Sequence, residues 1–391
     1  MPVRALLVLA CACAGFALVA CIESDELSVA MATATSASAD PSASVAEGET
    51  RTFRLGLTPF PHAGTPESFQ EAFVFIAEHA DLIAHHFDDG VPWDEALAGE
   101  AYAESFQSEL DARARLSPRG ALRYLAITPI AFSRDGLAPH RGAAGNEPLA
   151  APWTGRSFDS PEVIAAFLAH AERLIAQLEP DYLAYAVEAN MLLDLAPETW
   201  PAFVTFAGEA YAALKAAHPD LPVFLTLQAD WFHRDPARHA AALAAVLPFT
   251  DLIALSSYAY TEASDPRAND AYFAAVAALA PEKAVVIAET GWPAEDVADP
   301  YPVRIPADES AQRAYLEWLL LRAEELDAEF VIWFLPRDLD LFWDSTLAGL
   351  PNAATLRLFR DIGLLAGDGS ARPALQVWQD WFERPLALAT E

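Results

Sequence analysis

The chain has 391 residues, of which 53% are hydrophobic and 20% charged, a composition typical of a globular protein with a large core. Its formal net charge of -32 argues against a nucleic-acid ligand, because phosphate binding needs clustered Lys and Arg. A neutral ligand suits this charge better. Length alone does not divide the chain, since single α/β barrels run well past about 250 residues.

The first 21 residues predict an export signal. Arg4 precedes an apolar run from Ala5 to Ala20, and the run ends in Leu-Val-Ala-Cys, which resembles a bacterial lipobox. Cys21 is therefore the predicted lipidation site; an ordinary signal peptide with a nearby cleavage site is the alternative. The apolar run is short for a membrane span, which needs about 20 residues. We expect an exported cell-envelope lipoprotein whose folded domain is soluble outside the cytoplasm and meets the membrane only through its lipid anchor.

The cysteines support this division of the chain. Cys11, Cys13 and Cys21 all lie in the export signal, so neither a disulfide framework nor a cysteine zinc site is expected in the folded part. Residues 22–50 are rich in Ala, Ser and Thr, without any core-forming period, and we interpret them as a flexible tether. Residues 51–391 form the predicted folded domain.

In that domain, short apolar runs alternate with longer amphipathic stretches, which indicates repeated βα units around a parallel sheet. Helix starts of the type Thr65-Pro66-Glu67 recur, with an N-cap, a proline at the first helical position and an early acid; Ser160-Pro161, Asp235-Pro236 and Asp265-Pro266 are similar. The eight predicted strands are Phe53 to Phe60, Asp81 to Phe87, Leu122 to Ile127, Tyr182 to Glu188, Val223 to Gln228, Leu252 to Tyr258, Ala284 to Glu289 and Phe330 to Leu335.

Eight units favour a closed (β/α)8 TIM barrel as a single domain. An open doubly wound sheet is the rival topology, but it usually carries a glycine-rich phosphate-binding turn after its first strand, and the chain contains neither G-x-G-x-x-G nor G-x-x-x-x-G-K-[ST]. The active site of a barrel lies at the carboxyl ends of its strands. Polar residues that end an apolar run are therefore the first candidates.

Two glutamates meet this condition. Glu188 closes the fourth run and Glu289 closes the seventh. Each follows buried apolar residues, where a carboxylate is costly to desolvate; a pair of solvated strand-end acids is the alternative interpretation. Glycoside hydrolysis needs such a pair, because one carboxyl protonates the leaving oxygen while an ionised one attacks the anomeric carbon.

With these residues in place, the domain resembles the clan A glycoside hydrolases. The segment Glu-Thr-Gly-Trp-Pro at 289–293 is similar to the nucleophile segment of plant-type endo-β-1,3-glucanases and of arabinogalactan endo-β-1,4-galactanases. The resemblance implies a retaining enzyme that works by double displacement without a cofactor, with Glu188 as general acid/base and Glu289 as nucleophile. One position departs from the clan, in which Asn usually precedes the acid/base; this chain has Val187 there.

Proteins recognise sugars with aromatic side chains, on which the sugar ring stacks, and with amide or acid side chains, which bind the sugar hydroxyls. Tyr258 resembles the clan tyrosine that hydrogen-bonds the nucleophile, and Trp333 stands where clan members often carry a sugar platform; core packing is the alternative for the aromatic residues. Asn190 resembles an asparagine of galactanase-like sequences and is a candidate hydroxyl contact. The full set of candidate substrate-binding residues is His86, Asp88, Trp93, Asn190, Gln228, Tyr258, Trp292 and Trp333.

Other polar residues are weaker candidates. Asp230 and Trp231 are expected beside Gln228 in a subsite, with solvated loop residues as the alternative. The loop 131–159, which carries Arg134, is long enough to shape substrate binding. No metal is expected, because no H-E-x-x-H accompanies His85 and His86, and the aspartates at 338, 340 and 344 lack the EF-hand pattern and are interpreted as surface charge.

The predicted function is retaining hydrolysis of O-glycosidic bonds in a β-linked glycan, with a poly- or oligosaccharide as the partner of a monomeric enzyme. The alternative from another class is a surface lipoprotein that only binds glycans on a degenerate glycosidase barrel, which the Val187 departure favours. A metal-dependent barrel hydrolase is a third possibility. The sugar and linkage are not readable from the sequence, because one fold hosts many specificities.

Overall fold

The computed structural model describes residues 50–262 and 270–387, so the predicted export signal with Cys21 and almost all of the predicted tether lie outside the described residues. Eight parallel strands close into a barrel, and this confirms the predicted (β/α)8 fold. The strands are β1 Arg54–Leu57, β2 Leu82–Phe87, β3 Leu122–Ile127, β4 Tyr182–Ala186, β5 Val223–Gln228, β6 Ile253–Ser257, β7 Val285–Thr290 and β8 Phe330–Trp333. Each strand pairs with its sequence neighbours, and β1 pairs with β8.

Each of the eight predicted runs overlaps an observed strand, and the differences are at strand ends. β4 ends at Ala186, two residues before the predicted end at Glu188. Glu188 has a φ of +50°, in the left-handed region, and a residue with that backbone conformation cannot continue a strand. The departure from extended geometry thus begins where the candidate acid/base lies.

Helices follow the strands around the outside of the barrel. Thr65 caps the first of them, since its hydroxyl accepts a hydrogen bond from the amide of Ser68 at 3.2 Å and Pro66 takes the first helical position. The predicted start at Asp265-Pro266 lies outside the described residues. The helices are α1 Pro66–His79, α2 Trp93–Ala98, α3 Glu104–Leu116, α4 Pro161–Leu178, α5 Leu192–Leu195, α6 Trp200–Ala217, α7 Ala229–Arg234, α8 Pro236–Leu243, α9 Asp270–Ala277, α10 Glu309–Glu325, α11 Asp340–Ser345, α12 Ala353–Leu356 and α13 Pro373–Phe382.

None of the helices in the described ranges combines the length and the apolar character that crossing a membrane requires. The long loop after β3 has structure of its own: an antiparallel hairpin pairs His140–Gly142 with Gly145–Glu147, and a 3-10 turn covers Trp153–Gly155. Backbone hydrogen bonds inside the loop satisfy polar groups that a long irregular segment would leave unpaired. The loop is thus a defined wall at the carboxyl end of the barrel.

Two apolar cores hold the barrel together. The larger one lies between the strands and the surrounding helices. The smaller one fills the barrel interior with side chains that alternate along the strands, as in other barrels of this type. Its members are Leu82, Ala84, Tyr124, Ala126, Tyr182, Ala184, Val187, Phe224, Leu252, Ala254, Val286, Ala288, Phe330 and Ile332.

The pairing register shifts at three places: in β4 between Ala184 and Ala186, in β6 between Leu255 and Ser256, and between Val331 and Trp333 in β8. Such irregularities bend a strand and redirect the following side chain. The first two shifts lie next to Glu188 and Glu289. The irregular strand pairing therefore lies beside the two candidate catalytic glutamates.

The first and last described segments meet at the opposite end of the barrel. The amide of Arg51 donates to the carbonyl of Pro385 at 3.1 Å, and the amide of Ala387 donates to the carbonyl of Arg51 at 2.9 Å. The guanidinium of Arg51 pairs with the carboxylate of Asp81 at 2.6 Å. Since Asp81 precedes β2, these contacts close the amino-terminal face of the barrel.

Candidate active site

A small cavity opens at the carboxyl ends of the barrel strands, where the sequence places the active site. Charged and polar side chains form its floor, and four phenylalanine rings form its walls. Both candidate catalytic glutamates line it, together with His86, Asp88 and Tyr258 from the predicted substrate-binding set. The full lining is Phe60, His86, Asp88, Phe132, Arg134, Glu188, Tyr258, Glu289, Phe334 and Phe359.

Glu188 is fixed by contacts to three neighbouring elements. Its amide donates to the hydroxyl of Thr226 on β5 at 2.8 Å. Its Oε1 accepts a hydrogen bond from the hydroxyl of Ser256 on β6 at 2.6 Å, and its Oε2 accepts from Nη2 of Arg134 at 2.9 Å. With 2% of the residue exposed, Glu188 is a buried carboxyl whose two oxygens both act as acceptors.

Arg134 joins Glu188 to Asp88. Its Nη1 and Nη2 donate to the two oxygens of Asp88 at 2.9 and 2.6 Å, the bidentate geometry that makes guanidinium–carboxylate pairs strong. Burial raises the pKa of Asp88 to about 6, although the charge of Arg134 and its hydrogen bonds oppose this rise. The charges of Asp88 and Glu188 raise the pKa of Arg134 despite its burial, so the guanidinium stays ionised.

Glu289 is the penultimate residue of β7 and lines the same cavity. The hydroxyl of Tyr258 donates to its Oε1 at 2.5 Å, and Nδ1 of His86 lies 3.7 Å from its Oε2. Burial raises the pKa of Glu289 well above its usual value, the charge of Glu188 adds to the rise, and the hydrogen bond from Tyr258 opposes it. Burial also lowers the pKa of His86 to about 3, so this histidine is neutral beside the carboxyl group.

The three tryptophans of the predicted substrate-binding set, Trp93, Trp292 and Trp333, lie outside the cavity lining. Each is fully buried, with 0% exposed. The indole N–H of Trp93 donates to the carbonyl of Ala138, and that of Trp333 donates to the carbonyl of Ile362. Trp292 stacks on Tyr315 with ring centroids 4.9 Å apart. In this structure their rings pack among other side chains, as the core-packing alternative describes.

Asn190 and Gln228 are also outside the cavity lining, and they bind each other. The side-chain oxygen of Asn190 accepts from the amide of Gln228 at 2.7 Å, and its side-chain nitrogen donates to the carbonyl of Gln228 at 3.0 Å. The pair connects the segments that follow β4 and β5. Asp230, which accepts from Gln228 Nε2 and from the amide of Tyr258 at 2.9 Å each, extends this buried network toward the site.

Asp230 and Trp231 are outside the cavity lining, and their burial contradicts the interpretation of them as solvated loop residues. Asp230 is 1% exposed and Trp231 is 6% exposed. Val187, at the position where the clan usually has Asn, is 1% exposed and packs inside the barrel. An aliphatic side chain at this position therefore completes the interior core and offers no group for a sugar hydroxyl.

The interpretation of Asp338 as surface charge was also wrong, because the residue is 0% exposed. It lies with Glu295 and Asp361 in a cluster whose carboxylate oxygens come within 4.8 Å of one another. Arginines neutralise the cluster: Arg372 pairs with Asp338 and Glu295, and Arg357 pairs with Asp361. These pairs make it an ion-pair network.

Sequence reasoning missed several members of the site. Ser256 belongs to the Leu-Ser-Ser-Tyr run that ends in Tyr258. Its position two residues before Tyr258 on the same predicted strand is the sequence feature that could have identified it. Arg134 was assigned only to a substrate-shaping loop, and nothing in the sequence indicates that it binds both Asp88 and Glu188. The remaining missed residues are the wall of Phe60, Phe132, Phe334 and Phe359.

Comparisons with known proteins find structures of similar fold but no matching family. No family profile matches the chain, and no curated protein sequence matches it. Solved barrel structures do match. An exo-β-1,4-mannosidase, Op5Man5 from Opitutaceae bacterium strain TAV5, superposes with a TM-score of 0.62 at 14% identity, which covers 85% of this chain but only 59% of that chain.

Two further structures are similar over most of their own length. A GH5_18 protein from Bifidobacterium longum subsp. infantis has a TM-score of 0.60 at 14% identity and covers 86% of this chain and 81% of its own. The GH53 catalytic domain of Ignisphaera aggregans has a TM-score of 0.51 at 18% identity, with 79% and 88% covered. At these identities the similarity shows the barrel fold alone.

Proposed function

We propose that the protein hydrolyses O-glycosidic bonds of a β-linked glycan with retention of configuration. One observation carries the proposal: Glu188 and Glu289, from the ends of β4 and β7, are buried and line one cavity at the carboxyl end of the barrel. Two carboxyl groups on opposite sides of a scissile bond are the minimum that this reaction requires. The glycosidase names of the structural neighbours support the same class.

Glu289 is the nucleophile in this proposal. The hydrogen bond from Tyr258 holds Oε1 and stabilises the carboxylate form, which leaves Oε2 as the oxygen that attacks the anomeric carbon. His86, neutral and 3.7 Å from Oε2, offers no charge that would weaken this nucleophile. The Phe60, Phe334 and Phe359 rings supply an apolar surface for the face of a sugar ring.

Glu188 acts first as acid and then as base. In the first step Oε2 of Glu289 bonds to the anomeric carbon, the glycosidic C–O bond breaks and the proton of Glu188 passes to the leaving oxygen. In the second step Glu188 takes a proton from water, the water oxygen bonds to the anomeric carbon, and the ester bond to Glu289 breaks. At the end of the cycle both glutamates have returned to their starting protonation states, and no cofactor is used.

The test is reducing-sugar release from a panel of β-linked polysaccharides and activated aryl β-glycosides. Glu289→Ala is expected to lose turnover on the order of 10³-fold or more, because the nucleophile has no substitute. Glu317→Ala serves as the matched control, since Glu317 is a half-exposed residue of α10 paired with Arg313. Circular dichroism checks that both variants fold.

Unchanged turnover in Glu289→Ala removes the assignment. If the wild type releases no reducing sugar from any member of the panel but binds one glycan, the glycan-binding alternative replaces the hydrolase.

A further inference from the structure

The guanidinium of Arg134 has all of its donors occupied. It makes two hydrogen bonds to Asp88, two to Oε2 of Glu188 at 2.9 and 3.3 Å, and one to the carbonyl of Ala131 at 3.3 Å. A guanidinium carries five N–H groups, and these five contacts use them. Arg134 therefore has no donor left for a substrate hydroxyl, and its role concerns its two carboxylate partners.

Arg134 reaches the site from the tip of a turn. The amide of Ala131 donates to the carbonyl of Gly136 at 2.9 Å, and the amide of Arg134 donates to the carbonyl of Ala131 at 2.7 Å. Arg134 has a φ of +55°, in the left-handed region that only glycine enters without steric cost. Its ion pairs thus hold the turn in a conformation that the backbone alone disfavours.

The outer side of this turn faces solvent. Phe132 and Ser133 are half-buried and Asp135 is exposed, while a side-chain carbon built at Gly136 would meet nothing within 4 Å. Movement of residues 131–136 away from the barrel therefore disturbs little of the core. The contacts that oppose it are chiefly those of the Arg134 side chain.

While Arg134 stays in place, the site is too small for a sugar. The cavity has a volume of about 20 Å³, which accommodates about one water molecule. A pyranose ring needs several times that volume. Substrate binding consequently requires a lining group to leave, and Arg134 and Phe132 are lining groups attached to a solvent-facing turn.

The same contact opposes the chemistry. Glu188 accepts from Ser256 on one oxygen and from Arg134 on the other, an arrangement suited to a carboxylate because every partner is a donor. The first step of the proposed mechanism needs a proton on Glu188. The site seen in the structure therefore differs from the site that this step needs in the position of the Arg134 guanidinium.

We propose that Arg134 is a latch that positions Glu188 in the resting site, and that an entering sugar ring lifts the 131–136 turn. Lifting the turn opens the cavity and separates the guanidinium from Glu188, which then takes up the proton that it donates to the leaving group. Arg134 is accordingly a positioning residue. This inference rests on the hydrolase function proposed above.

The test is the pH profile of kcat/KM for the wild type, Arg134→Met and Arg134→Lys on an activated 4-nitrophenyl β-glycoside that the wild type hydrolyses. The alkaline limb of this profile reports the loss of the proton from the acid in the free enzyme. Arg134→Met is expected to move that limb upward, because the nearby positive charge is lost, and to lower KM about tenfold, because no guanidinium has to be displaced. Arg134→Lys keeps the charge and is expected to lie between the two.

Arg141→Met is the matched control, since Arg141 is a buried arginine of the same loop that pairs with Asp89 and Glu109 outside the cavity lining. It is expected to leave the alkaline limb in place. A second measurement does not depend on whether Arg134→Met folds. Hydrogen exchange of the Ala131 and Arg134 amides is followed in Glu289→Ala with and without the same glycoside, and exchange is expected to become faster when the glycoside binds.

Each outcome decides the proposal. An unmoved alkaline limb in both Arg134 variants, or exchange that is unchanged or slower with bound glycoside, removes the latch and leaves the hydrolase standing. Absence of turnover in the wild type on every activated glycoside removes the hydrolase and the latch together.

Discussion

The hydroxyl of Tyr258, the residue that follows β6, donates a hydrogen bond to Oε1 of Glu289 on β7 at 2.5 Å. Burial and the charge of Glu188 raise the pKa of Glu289, and this hydrogen bond is the largest of the effects that lower it. The phenol is itself buried, and burial raises its own pKa, so it donates without losing its proton. Tyr258 is therefore the main group that stabilises the ionised form of Glu289.

Tyr258→Phe is expected to raise the pKa of Glu289, because the opposing hydrogen bond is lost while burial remains. The proposed mechanism requires an ionised Glu289 in the free enzyme, so the acid limb of kcat/KM is expected to move to higher pH. The rate near neutral pH falls by about 10²-fold, the magnitude typical of removing one positioned donor. Tyr260→Phe is the control, since Tyr260 donates to the carbonyl of Leu358 instead; an equal shift there would contradict the role of Tyr258.

Glu188→Ala is expected to slow substrates with poor leaving groups by about 10² to 10⁴-fold, the range of general acid catalysis. Activated aryl glycosides are slowed much less in the first step because their leaving group needs no proton. Added azide restores turnover by attacking the glycosyl-enzyme without a base. Glu188→Gln, which keeps the volume, should behave similarly. Equal losses on both substrate classes, without azide rescue, would remove the acid/base assignment.

Stability toward acid depends partly on His170. This residue is 1% exposed and hydrogen-bonds the hydroxyl of Tyr102 at 3.0 Å, and burial, with smaller contributions from Arg173 and Arg141, lowers its pKa to about 3. Since the folded pKa lies below the unfolded value, the contribution of His170 is present above about pH 6.5 and is lost as the pH falls toward 3.

His170→Asn removes this titration. The pH dependence of the free energy of unfolding between pH 6 and 4 should become less steep by about 1.4 kcal/mol per pH unit, the value for one proton. Urea unfolding at several pH values measures the slope. His218→Asn, at a partly exposed histidine bound to Glu172, is the control. A slope unaltered in His170→Asn would show that the ring takes up its proton without unfolding.

Much of the fold was predictable because its signals are local. Each barrel strand is a short apolar run between turn residues, and such a run is buried wherever the sheet closes. The start of α1 at Pro66 followed from Thr65, whose capping bond spans only three residues. Glu188 and Glu289 were found for a related reason, because a carboxyl that ends an apolar strand marks the mouth of a barrel.

The rest of the site depends on distant pairs that no local pattern encodes. Trp333 suits a core or a sugar platform by residue type, and its indole N–H binds the carbonyl of Ile362, which lies 29 residues away. Arg134 binds carboxylates that lie 46 and 54 residues away. Its arrival between them depends on the path of an irregular loop, which periodicity does not describe.

The pairing of Arg51 with the segment at Pro385 and Ala387 has a practical consequence. Both ends of the described barrel emerge side by side, on the face remote from the cavity. Attachment of the domain to a bead, a sensor chip or a fusion partner through either end would leave the mouth facing the solution. Closely spaced ends also suit insertion of the whole barrel into a surface loop of a carrier protein.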